Sequence, residues 1–204
     1  MKPLASELKR PPPSADAAPP AKLVPPVSGM SASGASDQGL NGVLSVFCCV
    51  PVPDDIPDVG PYSRPTAELL ASRGETVREQ LARYDALVAD ARARPVRVVL
   101  THGEPHPGNT MRTDDGWLLI DWDTALVAPP ERDLWSLDPG DGSILDAYAR
   151  ATGVTPSPST MDLYRLRWEL ADVAVAVSRF RGPHTGNADD NESWHILRET
   201  YGPC

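Results

Sequence analysis

VVLTHGEPHPGNTMRTDDGWLLIDWDTA, residues 98–125, is the stretch on which the reading of this chain turns. It carries His102, Glu104, His106, Asn109, Asp121 and Asp123 around a short hairpin signal. The spacing of His102 and His106, with Glu104 between them, is that of two zinc ligands on one helix face. A helix is forbidden here by Gly103, Pro105, Pro107 and Gly108. The glutamate also stands one place too late for that motif. Zinc hydrolysis is therefore rejected, and His106 is left out of the ligand set.

Thr110 to Arg112 and Trp117 to Ile120 read as two short strands about the turn TDDG, where Gly116 is free to take a positive φ. Folding there lays the start of one strand beside the end of the other. Asn109 and Asp121, twelve residues apart, become neighbours and can share one ion. Both offer oxygen, the donor that a hard cation such as magnesium takes. Glu104 follows a strand end, where a turn can aim its carboxylate into a cleft. A carboxylate to orient a hydroxyl, with oxygen ligands nearby for magnesium, is what phosphoryl transfer needs.

Outward from this cluster the chain reads as α+β and mostly helical. VRVVLT, just before the loop, has the β-branched content of a buried strand. Residues 66–94 are helical with an interruption at Gly74, and Val77, Leu81, Tyr84, Val88 and Ala91 form one stripe ended by Pro95. Pro129, Pro130 and Glu131 open a helix carrying RDLWSL, with prolines where a missing N–H costs least. A short helix is expected from Ile144 to Arg150. Ser159 or Thr160 is expected to cap a long helix whose apolar face runs from Leu163 through Leu170 to Phe180. GPHTGNADD reads as a loop, with Asp189 and Asp190 in the first turn of a last helix that carries SWHILRETY.

Composition separates the two ends. The first 65 residues hold 13 of the 23 prolines and all three lysines, so residues 1–58 are expected to be a disordered Pro/Ala/Ser-rich region and 59–204 the folded domain. A net charge of −9 argues against a nucleic-acid partner and suits a cationic substrate or a solvated acidic surface. Cys48, Cys49 and Cys204 match neither a zinc site nor a disulfide framework. The apolar run VLSVFCCVPVP is too short and too broken by proline to span a bilayer. A cytoplasmic protein with no membrane or nucleic-acid partner is expected.

HGEPHPGN, then LIDWD, then PPERDLW resembles the aminoglycoside phosphotransferase family, relatives of the protein kinases. Three elements in the right order and spacing make this far more specific than any one motif. The resemblance implies a protein-kinase-like C-terminal lobe with a small catalytic-loop hairpin, and transfer of the γ-phosphoryl group of ATP, with Mg2+, to a hydroxyl of a small molecule. Antibiotic resistance is one role it implies. By position, Glu104 stands where the family has its catalytic aspartate, and His102 braces the catalytic loop. Asn109 and Asp121 would hold magnesium and the nucleotide, with Asp123 as a further acid near the metal or a cap of the following turn. Asp133 resembles the aspartate that ties the next helix to the loop backbone. Asp172 and Arg167, on the long helix, are weighed as substrate-facing groups and read as surface ion pairs.

Two departures from the family pattern stand out. Glutamate replaces aspartate at position 104, moving the carboxylate outward by about a bond length. Ahead of residue 60 no run of strands appears, and Lys2, Lys9 and Lys22 all lie in proline-rich sequence. The family's nucleotide-covering lobe is therefore expected to be missing. The chain is then either a phosphotransferase with an unusual nucleotide grip or a catalytically inactive kinase-like fold that binds metal, small molecules or protein. An exposed inter-lobe face is expected in both cases, inviting self-association.

Overall fold

The computed structural model describes residues 56–94 and 97–202. The expectations for residues 1–55, for Pro95 and for Cys204 lie outside them. Among the described residues six α-helices and four short strands follow one another: α1 (Ser63–Ser72), α2 (Gly74–Ala93), β1 (Val99–Thr101), β2 (Thr110–Thr113), β3 (Gly116–Leu119), β4 (Leu126–Ala128), α3 (Glu131–Leu137), α4 (Ser143–Thr152), α5 (Pro158–Arg181) and α6 (Ala188–Tyr201). The fold is α+β and mostly helical, as its sequence periods predict.

The described residues fall into two compact units, one of residues 74–94 and 97–171, the other of 56–73 and 172–202. In the first, the stripe on α2 meets the first half of α5. Tyr84, Val88 and Ala91 pack with Leu163, Leu166 and Leu170, and Leu81 is partly buried beside them. Each fully buried leucine of this kind contributes roughly 1.5–3 kcal/mol. Trp135 of α3 lies against Trp168 of α5, ring centroids 5.7 Å apart.

Two antiparallel ribbons sit on this helical base. β2 pairs with β3 in the register Met111↔Leu118 and Arg112↔Trp117, and Gly116 takes φ 127° at the end of the turn. β1 pairs with β4, Leu100 facing Val127. Here the expectation of a buried strand over VRVVLT is corrected. Only three residues pair, and Leu100 is 66% exposed while Thr101 is fully buried. A two-stranded ribbon covers one face only, so alternate residues meet solvent.

The start of α5 is also earlier than expected. Ser157, not Ser159 or Thr160, takes the cap: its hydroxyl accepts the N–H of Thr160, and Pro158 fills the first turn.

In the second unit Tyr62 lies among Phe180, Trp194 and His184, with ring centroids 5.2, 5.5 and 6.1 Å away. His184 accepts the N–H of Tyr62 at 2.9 Å and donates from Nδ1 to the carbonyl of Gly182 at 2.8 Å, so its tautomer is fixed. Asn187 caps α6 in a reciprocal box with Asp190. That box starts the helix at Ala188, with Asp189 and Asp190 in its first turn as expected.

Candidate active site

The loop after β1 is held from three sides. His102 is 1% exposed and is used at both ring nitrogens. Its Nδ1 accepts the N–H of Glu104 at 3.2 Å, so Nε2 carries the proton and donates to the carbonyl of Ile120 at 2.8 Å. One imidazole thus joins the loop to the end of the hairpin, with the ring of Trp122 packed edge-on against it at 4.8 Å. Asp133, in the first turn of α3, accepts the main-chain N–H groups of His102 at 2.8 Å and Gly103 at 2.7 Å, one on each oxygen. Thr124 donates its hydroxyl to the carbonyl of His102 at 2.7 Å.

Held in this way, Glu104 projects half-buried from the loop. Its main-chain carbonyl accepts Nδ2 of Asn109 at 2.9 Å. The amide nitrogen of Asn109 is committed to the loop, which leaves Oδ1 as its uncommitted end. The Asn109 carbonyl accepts the N–H of Ile120 at 2.8 Å, one bond beyond the Thr110↔Leu119 pair. The hairpin therefore carries Asn109 to the residue before Asp121. His106 accepts the N–H of Gly108 at 3.0 Å and caps the 3-10 turn Pro107–Asn109, a local structural task.

Asp121 is the one non-glycine residue with positive φ among those described, at φ 66° and ψ 62°. Such a conformation costs of order 1–3 kcal/mol and persists where the surroundings over-determine it. The carboxylate is exposed and does not bond back into the turn it precedes. Asp123, exposed, lies two residues on in the 3-10 turn Trp122–Thr124.

Among the described residues no group of three or more His, Cys, Asp and Glu could hold a metal ion. Magnesium does not require such a cage, because it is commonly held by one or two carboxylates with phosphate and water completing the shell. The free oxygens of Asn109 and Asp121 fit that kind of site.

A buried polar layer lies in the same unit. Arg132 is 7% exposed and donates to the hydroxyl of Thr101 and the carbonyl of Thr124, both at 2.8 Å. Burial lowers its guanidinium pKa, and the charge of Asp133 opposes that shift. Burial likewise pushes the phenol of Tyr164 far up, against the pull of Arg167 and Arg132. Arg167 is half-buried, and its Nε lacks a hydrogen-bond partner among the described residues. Asp172 is half-buried on α5, in the other unit. In the sequence Arg132 reads only as part of a helix start. Its place directly before Asp133 was the available signal.

A family model described as "Phosphotransferase enzyme family" matches residues 50–168, more than half of the chain. The chain belongs to this family. A relative, Protein StrN of Streptomyces griseus, is 40% identical over an alignment of 147 residues that covers 68% of this chain and 41% of StrN. The fold is similar to that of a solved spectinomycin phosphotransferase, APH(9)-Ia, in complex with ADP and spectinomycin. That match has a TM-score of 0.56 and 18% identity over 82% of this chain and 53% of the other. The chain thus spans about half, or less, of the length of these relatives. The kinase-like lobe expected from HGEPHPGN, LIDWD and PPERDLW is the fold observed.

Proposed function

We propose that residues 59–204 form the larger lobe of an ATP-dependent phosphotransferase that moves the γ-phosphoryl group onto a hydroxyl of a small, cationic molecule. The observation that carries this reading is the convergence of Glu104, Asn109 and Asp121 on one braced loop and hairpin, in a member of the phosphotransferase family. Glu104 would accept a hydrogen bond from the acceptor hydroxyl and orient its oxygen for attack. Phosphoryl transfer depends more on positioning and electrostatics than on a strong base, so glutamate can serve in place of aspartate. Asn109 and Asp121 would hold magnesium, with Asp123 adding negative charge nearby; bound there, the ion would neutralise the phosphate oxygens. His102 and Asp133 touch no reacting atom in this scheme and keep the loop in shape.

The substrate class rests on two observations. The fold neighbour's partner molecule is spectinomycin, and a chain of charge −9 attracts cations. Aminoglycoside-like polyols are therefore the first acceptors to try, with antibiotic inactivation as the role that success would support.

Titration calorimetry with magnesium–ATP on the full chain and on Asp121→Ala tests the reading. Binding that is lost in the variant is expected. Binding that is the same in both would remove Asp121 from the site. No binding to either would favour the second reading, a catalytically silent fold.

Trp117 and Leu118, on opposite faces of β3, and Trp122 in the turn after it are exposed, and this apolar surface supports the self-association proposed through the inter-lobe face. Sedimentation of a clean monomer at high concentration would argue against it. Among the described residues no helix is long and apolar enough to cross a membrane, and a cytoplasmic location remains part of this proposal.

A further inference from the structure

We propose that Arg132 is a positioning residue that sets the spacing between the Glu104 loop and the Asp121 segment. Its guanidinium reaches two separate pieces of chain. Nη1 donates to Thr101, the last residue of β1, and Nη2 donates to the carbonyl of Thr124, just past the hairpin. Glu104 lies three residues after the first anchor, and Asp121 three residues before the second. A planar fork with donors on both edges spans such a gap, whereas a lysine ammonium is a point on a flexible stem.

Both anchors are tied further into the site. Thr101 donates a hydrogen bond from its hydroxyl to the carbonyl of Leu126 at 2.8 Å, fastening β1 to β4. Thr124 donates its own hydroxyl to the carbonyl of His102. The fork also sits against Gly103, where a Cβ would stand 2.3 Å from Nη2. Gly103 has φ +100°, so both its backbone and its neighbour require glycine. The start of α3 therefore addresses the loop twice, with an acid on two N–H groups and a base on two oxygens.

A purely structural role fits this cation poorly. Burial makes this charge costly, the negative charge of Asp133 offsets part of that cost and the positive charge of Arg167 adds to it, while Arg132 donates to neutral oxygens at both anchors. An apolar side chain of similar length often serves stability as well as a buried ion does. What methionine cannot do is hold Thr101 and Thr124 at a fixed separation.

This inference rests on the phosphotransferase reading for its consequence but not for its geometry, and the experiment separates the two. Amide hydrogen exchange is measured on the full chain, on Arg132→Met and on Arg132→Lys, alongside magnesium–ATP turnover with an aminoglycoside acceptor. In Arg132→Met, exchange at His102, Gly103 and Glu104 is expected to quicken about tenfold or more, while α2 amides from Tyr84 to Ala91 stay within about twofold. Where the parent turns over, kcat falls at least about tenfold with KM nearly unchanged, and Arg132→Lys recovers part of the loss. Loop exchange equal to that of the parent overturns the proposal. So does equal acceleration in the loop and in α2, which would make Arg132 a general stabiliser. A parent without turnover counts against the phosphotransferase reading alone, and the exchange data still decide the role of Arg132.

Discussion

Asp133 and His102 are 31 residues apart, yet the carboxylate of one accepts the main-chain N–H of the other at 2.8 Å, with Gly103 on the second oxygen at 2.7 Å. Through this contact a helix start far along the chain shapes a loop that would otherwise have no regular structure. Asp133→Asn keeps the size but leaves only one acceptor oxygen and adds an N–H2 facing a donor. A loss of about 1–3 kcal/mol is expected in urea unfolding. A change inside the error of the measurement would mean that the loop holds its shape without this tie.

Asp121 is strained in a way that predicts opposite signs for stability and binding. Glycine adopts φ 66° without a Cβ clash, so Asp121→Gly relieves the strain at the expense of a more flexible unfolded chain. The net effect on unfolding is expected to lie between roughly 0 and +1 kcal/mol in favour of the variant, while magnesium–ATP binding is lost. A clear loss of stability would show that the carboxylate has a structural partner.

Glu104→Asp places the family's usual residue on a loop adjusted to glutamate. The carboxylate retreats by about a bond length, and the rate of ADP release with an accepted polyol is expected to change by no more than about tenfold in either direction. Glu104→Ala, by contrast, is expected to lose at least about a hundredfold. Equal rates for Glu104→Ala and the parent would take Glu104 out of the chemistry.

The second unit supplies a pH prediction. Burial pushes the Asp190 carboxyl up, but the Arg179 guanidinium and the N–H groups of Asn187, Thr185 and Gly186 together outweigh it and hold the group below its ordinary range. A carboxyl whose folded pKa is depressed contributes stability above its unfolded value of about 3.9, and loses it as pH falls through the folded value. Unfolding midpoints followed from about pH 5 to pH 3 should therefore drop more steeply in the parent than in Asp190→Asn. Parallel curves would show that the charge of Asp190 does not stabilise the folded state.

Much of this was determined by the sequence alone. The stripes on α2 and α5 are legible because helix periodicity is local: Tyr84, Val88, Leu163 and Leu170 fall three, four or seven residues from their stripe neighbours whatever else the chain does. The hairpin was legible for the same reason, since TDDG states its own turn and carries Asn109 to the approach of Asp121. Tertiary structure alone decided the rest, because those contacts join residues that no local rule relates. The pairing of β1 with β4 spans 25 residues and leaves Leu100 in solvent, which a run of β-branched residues cannot announce. The left-handed backbone of Asp121 is imposed by its surroundings on a residue with no strong preference of its own. The reach of Arg132 to Thr101 and Thr124 exists only once α3 has docked against β1 and the turn that leads into β4. The sequence names the groups that phosphoryl transfer needs; the fold sets the distances between them.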